Sequence, residues 1–262
     1  MGGHPPAEQD KTAVVHDSVG LISLEAGMDQ DAPHLQRLQL LAGPRGMDKL
    51  KKAAVAVIGL GGVGSHAVEA LARSGVGRLV LVDMDRIEIS NINRQLPALT
   101  STIGKYKTEA IARRIHEIDP SIQVSEFACR FEPASSEEIL SPDLDYVIDA
   151  IDSLPDKIHL IVSCLEKGIP VVSSMGMANR LDPSMIRIGD IKETHVCPVA
   201  RIVRKELRSR GIDSGIKVVY SIEKPVKPWE DKQGSLGSII YLPGIAGYLL
   251  ASFIIEGITR AG

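Results

Sequence analysis

The chain has 262 residues, Lys+Arg 30 against Asp+Glu 33 for a net charge of -3, and 44% hydrophobic residues. That length and apolar content fit one large domain or two small ones and exclude a wholly disordered or collagen-like polymer. Three cysteines exclude a disulfide-rich secreted scaffold, and one Trp, five Tyr and three Phe argue against a binding surface of stacked rings. The near-neutral balance excludes gross basicity but not a local basic patch for nucleic acid.

Residues 1–31 are polar and without sustained periodicity, which predicts a disordered extension ahead of a single domain over 32–262. The opening MGGHPPAEQD lacks the basic start and apolar run of a signal peptide, so the cytoplasm is the expected compartment. Leu35, Leu38 and Leu41 recur every three residues and predict a helix over 33–41, ended by Gly43-Pro44, with a further helical turn over 47–52. The continuous apolar run 53–58 reads as a strand buried on both faces. A helix is expected over 64–74, then strands over 79–82, 124–127, 146–148 and 169–172, with helices over 108–118 and 158–166 between them. Such alternation predicts an α/β fold, a Rossmann-like parallel sheet with right-handed crossovers. After Gly176 the pattern weakens: 185–188 reads as an antiparallel strand, 199–210 as a basic amphipathic helix, 217–220 as a strand and 224–237 as a mobile loop. The expected architecture is therefore a nucleotide-binding half over about 53–178 and a substrate-facing half, with an antiparallel extension, over about 179–262. The apolar stretch 239–258 is interrupted by Pro243, Gly244, Gly247, Glu256 and Gly257, and reads as a buried or dimer-facing helix without stable membrane insertion.

Gly59-Leu60-Gly61-Gly62-Val63-Gly64 follows the first buried strand and opens the first helix, the context in which GxGxxG binds a phosphate. Alone it names a nucleotide but not which one, and a nicotinamide dehydrogenase fits it as well. Asp83 ends the second strand, where an acid holds a ribose hydroxyl. The following loop discriminates: Asp83 and Asp85, then Asn91 and Arg94, suit an ATP-using adenylyltransferase better than a dinucleotide enzyme. Arg94 offers a planar fork to phosphates and Lys107 a point charge. Asp152 lies at the C-terminal edge of the fourth strand, where a carboxylate can hold Mg²⁺.

With GLGGVGS at 59–65, LVDMD at 81–85, SNINRQ at 90–95, GKYK at 104–107 and DAIDS at 149–153, the chain resembles the ubiquitin-activating-enzyme-like superfamily. The resemblance implies that Gly62, Asp83, Asp85, Asn91, Arg94, Gln95, Lys107 and Asp152 contact ATP or Mg²⁺. It also implies that Arg37 reaches the neighbouring subunit's ATP site, hence a homodimer. Within the superfamily the chain is most similar to the tRNA threonylcarbamoyladenosine dehydratases, through LDPS at 181–184, DIKET at 190–194, PVAR at 198–201, VVYS at 218–221 and PGIAG at 243–247. One departure is Cys197, where the family usually has an acid before Pro198.

The implied reaction activates a carboxylate with ATP and closes a ring on the acyl-adenylate, with Arg94, Lys107 and Asp152 as the catalytic set. The alternative is an adenylyltransferase for the C-terminal glycine of a ubiquitin-like sulfur carrier. Enzymes of that kind often hold zinc with two CxxC pairs, whereas Cys129, Cys164 and Cys197 stand apart, so no zinc is expected. Cys197 is read as incidental packing, with sulfur chemistry and a sulfur-transfer partner as the other possibility. Between Lys192 and Lys232 lie ten Lys/Arg and six Asp/Glu, and Arg201, Arg204, Lys205 and Arg208 are spaced as one helical face, a candidate tRNA surface.

Overall fold

A computed structural model of the chain describes Met1, residues 32–227, Trp229 and residues 236–260. The extension expected to be disordered lies outside the described residues, apart from Met1, as do 228 and 230–235 of the expected loop.

Seven strands form one sheet: β1 (Ala54–Ile58), β2 (Arg78–Val82), β3 (Gln123–Phe127), β4 (Tyr146–Asp149), β5 (Val171–Ser174), β6 (Ile186–Asp190) and β7 (Lys217–Ser221), in the order β3-β2-β1-β4-β5-β7-β6. Every neighbouring pair is parallel except β6 and β7, the antiparallel extension expected near 185–188. The helices are α1 (Gln36–Lys52), α2 (Gly64–Arg73), α3 (Lys107–Ile118), α4 (Pro133–Ile139), α5 (Leu154–Lys167), α6 (Pro198–Arg208) and α7 (Tyr241–Arg260).

β1 is buried along its whole length because both of its faces are covered. Val55 and Val57 pack into a core with Leu71 of α2, Ile111 of α3 and Leu250 and Ile254 of α7. Ala54, Ala56 and Ile58 point the other way, toward Ile139 of α4 and Leu160 and Cys164 of α5. A third cluster joins Ile161 of α5 to Val203 and Leu207 of α6 and Val218 of β7.

Three elements differ from the sequence-based expectation. The expected break at Gly43 is present (φ 67°, ψ 171°) and divides α1 into two limbs, but the second limb begins at Pro44, three residues earlier than expected, because proline is tolerated in a first turn. α5 starts at Leu154, four residues early, with Pro155 in its first turn. α4 was not expected; Pro133 starts it, and Glu132 and Ser135 close a reciprocal capping box. α7 is long and apolar enough to cross a membrane, yet half of that stretch is buried inside the fold. It lies against α2 at Gly247, where a side chain would overlap the Val63 carbonyl.

From β1 the chain runs outward through β2 to β3 and then returns to β4 and β5 on the other side. The reversal leaves a crevice over the carboxyl ends of β1 and β4, where open α/β sheets bind ligands.

Candidate active site

A cleft of about 730 Å³ opens over that reversal. Gly59, Gly61, Gly62, Asp83, Asp85, Asn91, Arg94, Gln95, Lys107 and Asp152 all line it. Residues spread over nearly a hundred positions thus share one surface because each follows the carboxyl end of a strand or the loop beyond it. Gly59 has φ 90°, and a Cβ there would stand 2.6 Å from the Ala150 carbonyl, so the loop needs glycine. Gly64 does not line the cleft; a Cβ on it would overlap the Gly59 carbonyl, so its part is the close seating of α2 under the loop. Arg37 lies exposed on α1, away from its own chain's cleft.

Asp83 ties the glycine loop to the end of β2. The Leu60 N–H donates to one carboxylate oxygen at 2.7 Å and the Asp85 N–H to the other at 2.8 Å. Burial holds the Asp83 carboxyl above the ordinary carboxylate value, against the opposing pull of the Lys107 ammonium. Lys107, buried at the start of α3, stands 2.6 Å from Asp85 and 3.5 Å from Asp83. The acid pair therefore presents the ammonium to the cleft in a fixed place. Asn91 shapes the loop between: its amide oxygen accepts the Glu88 N–H at 3.1 Å. Arg94 donates through Nη1 to the Ser90 carbonyl (2.9 Å) and the Asn93 side chain (2.8 Å). Its Nε and Nη2 have no partner among the described residues. Gln95 is buried beside Gly61 with its Oε1 unpartnered. Asp152 is exposed and likewise unpaired among the described residues.

Glycine backbone at a helix start, a half-used guanidinium and an orphaned amide oxygen suit a polyphosphate nucleotide. Among the described residues no group of three or more His, Cys, Asp or Glu side chains could hold a metal. One carboxylate, Asp152, matches the way Mg²⁺ is held between a single protein oxygen and phosphates.

Other residues at the cleft escaped the sequence reading. Arg130, just past β3, makes a two-bond pair with Asp156 (2.8 and 3.0 Å) at the rim, and Phe131 and Cys129 add an apolar wall. The rule that sites gather at strand ends could have pointed to Arg130. Arg180, on the loop after β5, also lines the cleft and carried no signal in the sequence.

On α6, Pro198 and Val199 border the cleft, while Arg201, Lys205 and Arg208 are exposed. Arg204 is a correction to the expected basic face. It turns inward and donates to the Thr194 carbonyl at 2.7 Å and to the Thr194 hydroxyl, because spacing on a helix does not settle which arginine the adjacent loop recruits. Cys197 is buried next to Gly176 and does not line the cleft. Burial pushes the Cys164 thiol up to about 12 and raises that of Cys129, the latter helped by Glu138 and Glu132.

A mostly parallel sheet with a glycine loop, a fixed ammonium and an exposed carboxylate at its reversal defines a nucleotide-binding α/β protein. The ThiF family model matches residues 33–261, and the chain belongs to the ThiF family. It is 42% identical over 238 residues to the tRNA threonylcarbamoyladenosine dehydratase of Bacillus subtilis, covering 86% of this chain and 94% of that one. The structure of the Escherichia coli tRNA N6-threonylcarbamoyladenosine dehydratase in complex with ATP matches with a TM-score of 0.82 at 31% identity, over 90% of this chain and 99% of that one. A sulfur carrier protein adenylyltransferase of Thermus thermophilus is 34% identical over 142 residues, covering 54% of this chain and 52% of that one.

Proposed function

We propose that this chain is an ATP-dependent tRNA threonylcarbamoyladenosine dehydratase. The observation that carries the reading is the gathering of Gly61, Gly62, Arg94, Gln95, Lys107 and Asp152 on one cleft. The similarity to dehydratases over nearly the whole chain supports it, whereas the sulfur-carrier enzyme matches about half.

The threonyl carboxylate attacks the α-phosphorus of ATP. A carboxylate oxygen–phosphorus bond forms, the bond to the β-phosphate oxygen breaks, and pyrophosphate leaves with the electron pair. The ureido group of the same nucleoside then attacks the activated carbonyl, loses its proton, and AMP departs carrying the former carboxylate oxygen. The nucleoside has lost one water. Ring closure within the substrate needs no protein nucleophile, so the protein's work is positioning and charge stabilisation. The glycine loop places the phosphates, Arg94 and Lys107 face the charge that builds on them, and Asp83 faces the ribose. Asp152 would hold Mg²⁺, which would supply further neutralisation of phosphate charge.

The same reading places tRNA along Arg201, Lys205 and Arg208 and makes the working unit a homodimer, with Arg37 of each subunit at its neighbour's nucleotide. A sulfur-transfer protein is a further candidate partner. The cytoplasm is the compartment that goes with a tRNA substrate.

The test is mass spectrometry of nucleosides from tRNA carrying threonylcarbamoyladenosine, incubated with the protein, ATP and Mg²⁺. Loss of one water that needs ATP and falls about 10²–10³-fold in Arg94→Ala is the expected result, the range seen when a charge-stabilising donor is removed. An unchanged nucleoside, with pyrophosphate exchange on a carrier ending in Gly-Gly, would overturn it in favour of sulfur-carrier activation.

A further inference from the structure

Arg180 is 4% exposed, yet it lines the cleft. Three backbone carbonyls lock its guanidinium plane. Nη1 donates to Gly176 at 2.7 Å and Ala178 at 3.1 Å, and Nε donates to Glu223 at 3.3 Å. Nη2 is buried and has no hydrogen-bond partner among the described residues. The Glu223 carboxylate, close in the same loop cluster, is turned to other donors, the backbone N–H groups of Leu181 (3.1 Å) and Asp182 (2.9 Å). Arg180 thus has no carboxylate counterion among the described residues. A guanidinium stays charged in a protein, and a buried charge is costly unless it is paired. An anion from outside the chain would complete this site.

Position indicates which reactant brings that anion. The glycine loop follows β1 and Asp83 directly follows β2, so the nucleotide side of the cleft lies over those two strands. Arg180 follows β5, which is separated from β1 by β4. With strands about 4.8 Å apart, β5 stands about 10 Å from β1, on the side away from β2. The wall near Arg180 includes Val199, at the start of α6; a Cβ added to Gly176 would stand 2.9 Å from Val199 and 3.8 Å from the Arg180 Nη1. The exposed basic residues of the same helix are those assigned to tRNA above.

We infer that Arg180 is a substrate-binding residue whose free Nη2 receives the carboxylate of the acyl substrate and holds it toward the α-phosphate. The inference rests on the dehydratase reading and adds to it the group that distinguishes a modified tRNA from an unmodified one. The hydrogen bonds of Nη1 and Nε fix the guanidinium before substrate arrives, so little ordering remains to be done at binding.

The experiment compares the affinity of the full chain, with α,β-methylene-ATP present, for tRNA with and without the threonylcarbamoyl group. The wild-type protein prefers the modified tRNA by about 10–100-fold, the range of one hydrogen bond to a charged group. Arg180→Gln loses that preference while its affinity for α,β-methylene-ATP is unchanged, and Arg180→Lys regains part of it. Preference retained in R180Q overturns the assignment. So does weakened nucleotide binding with the preference intact, which would make the anion a phosphate, and so does an R180K no better than R180Q, which would mark a purely structural arginine. Should R180Q fail to fold, R180K decides: an ammonium cannot hold three carbonyls and also reach the carboxylate, so an undiminished preference overturns the assignment. A wild-type protein with no preference overturns the assignment together with the dehydratase reading. Wild-type preference surviving in the variants overturns the assignment alone.

Discussion

Replacing Lys157 with methionine removes the cation from an ion pair sealed between α5 and the sheet. The Lys157 Nζ stands 2.8 Å from an Asp149 oxygen, and the two side chains are 2% and 0% exposed. The ammonium also donates to the Ser174 carbonyl at 3.0 Å, and the Ser173 hydroxyl donates to the same Asp149 oxygen. Taking away one partner leaves Asp149 in the interior with no compensating cation, a loss of about 3–5 kcal/mol. For a domain of this size each kcal/mol moves the midpoint by about 2–4 °C, so Lys157→Met is expected to melt roughly 6–20 °C lower. Activity is expected to fall as well. The second Asp149 oxygen accepts the Ile151 N–H at 3.1 Å, and the Ala150 N–H donates to Ile58 at 2.8 Å, so this network sets the turn that delivers Asp152 to the cleft.

The assay is differential scanning calorimetry on K157M, Asp149→Asn and the double variant. The double variant should lose less than the sum of the two single losses, because the second substitution removes the group the first left unpaired. A midpoint for K157M within about 2 °C of wild type, or strict additivity of the two, would refute the reasoning.

Burial pushes the Glu69 carboxyl up, but hydrogen bonds from Arg114 (2.6 Å) and Arg73 (2.7 Å) outweigh it and hold the group below its ordinary value. A depressed carboxylate contributes stability that is present above the unfolded value of 4.5 and lost as pH falls through the folded one. The melting temperature of the wild type should therefore drop more than that of Glu69→Gln between about pH 5 and pH 3, and parallel curves would count against the pairing. Cys164, buried with its thiol pushed up to about 12, should resist iodoacetamide in the native protein, while all three cysteines react after unfolding; a native Cys164 adduct in the peptide map would contradict its placement. Neutralising Arg201, Lys205 and Arg208 to glutamine should weaken tRNA binding and flatten its log–log salt dependence by about one for each phosphate contact removed, and an unchanged slope would put the tRNA elsewhere.

Much of this architecture was legible because the interior strands advertise themselves. Val55, Val57 and Ile58 form part of an unbroken apolar run, which only a strand covered on both faces sustains, and the glycine loop behind it marks the start of α2. The cleft residues were legible for a related reason: Asp83 and Asp152 both fall at strand ends, so finding the strands places them. What escaped lacks such periodicity. α4 is a short helix whose capping pair, Glu132 and Ser135, reverses the usual order of hydroxyl first and acid third. Lys157 reads as surface in any sequence window, and only the parallel pairing of β4 with β5 brings the Ser174 carbonyl and the Asp149 carboxylate together around it.

Arg180 and Arg204 show the same limit from opposite sides. Both are arginines of the second half, and sequence spacing assigned Arg204 to the solvent face of α6 while passing over Arg180. In the fold each spends donors on loop carbonyls, Arg204 on Thr194 and Arg180 on Gly176, Ala178 and Glu223. What separates them is burial and position, since Arg204 is half-buried and Arg180 is 4% exposed. Arg180, a residue of the cleft wall, keeps a buried Nη2 with no partner among the described residues, and Arg204 is absent from that wall. Which donors the backbone leaves unused is settled only when the 176–180 loop closes against β7 and the segment after it, and cannot be assigned to any residue type in advance.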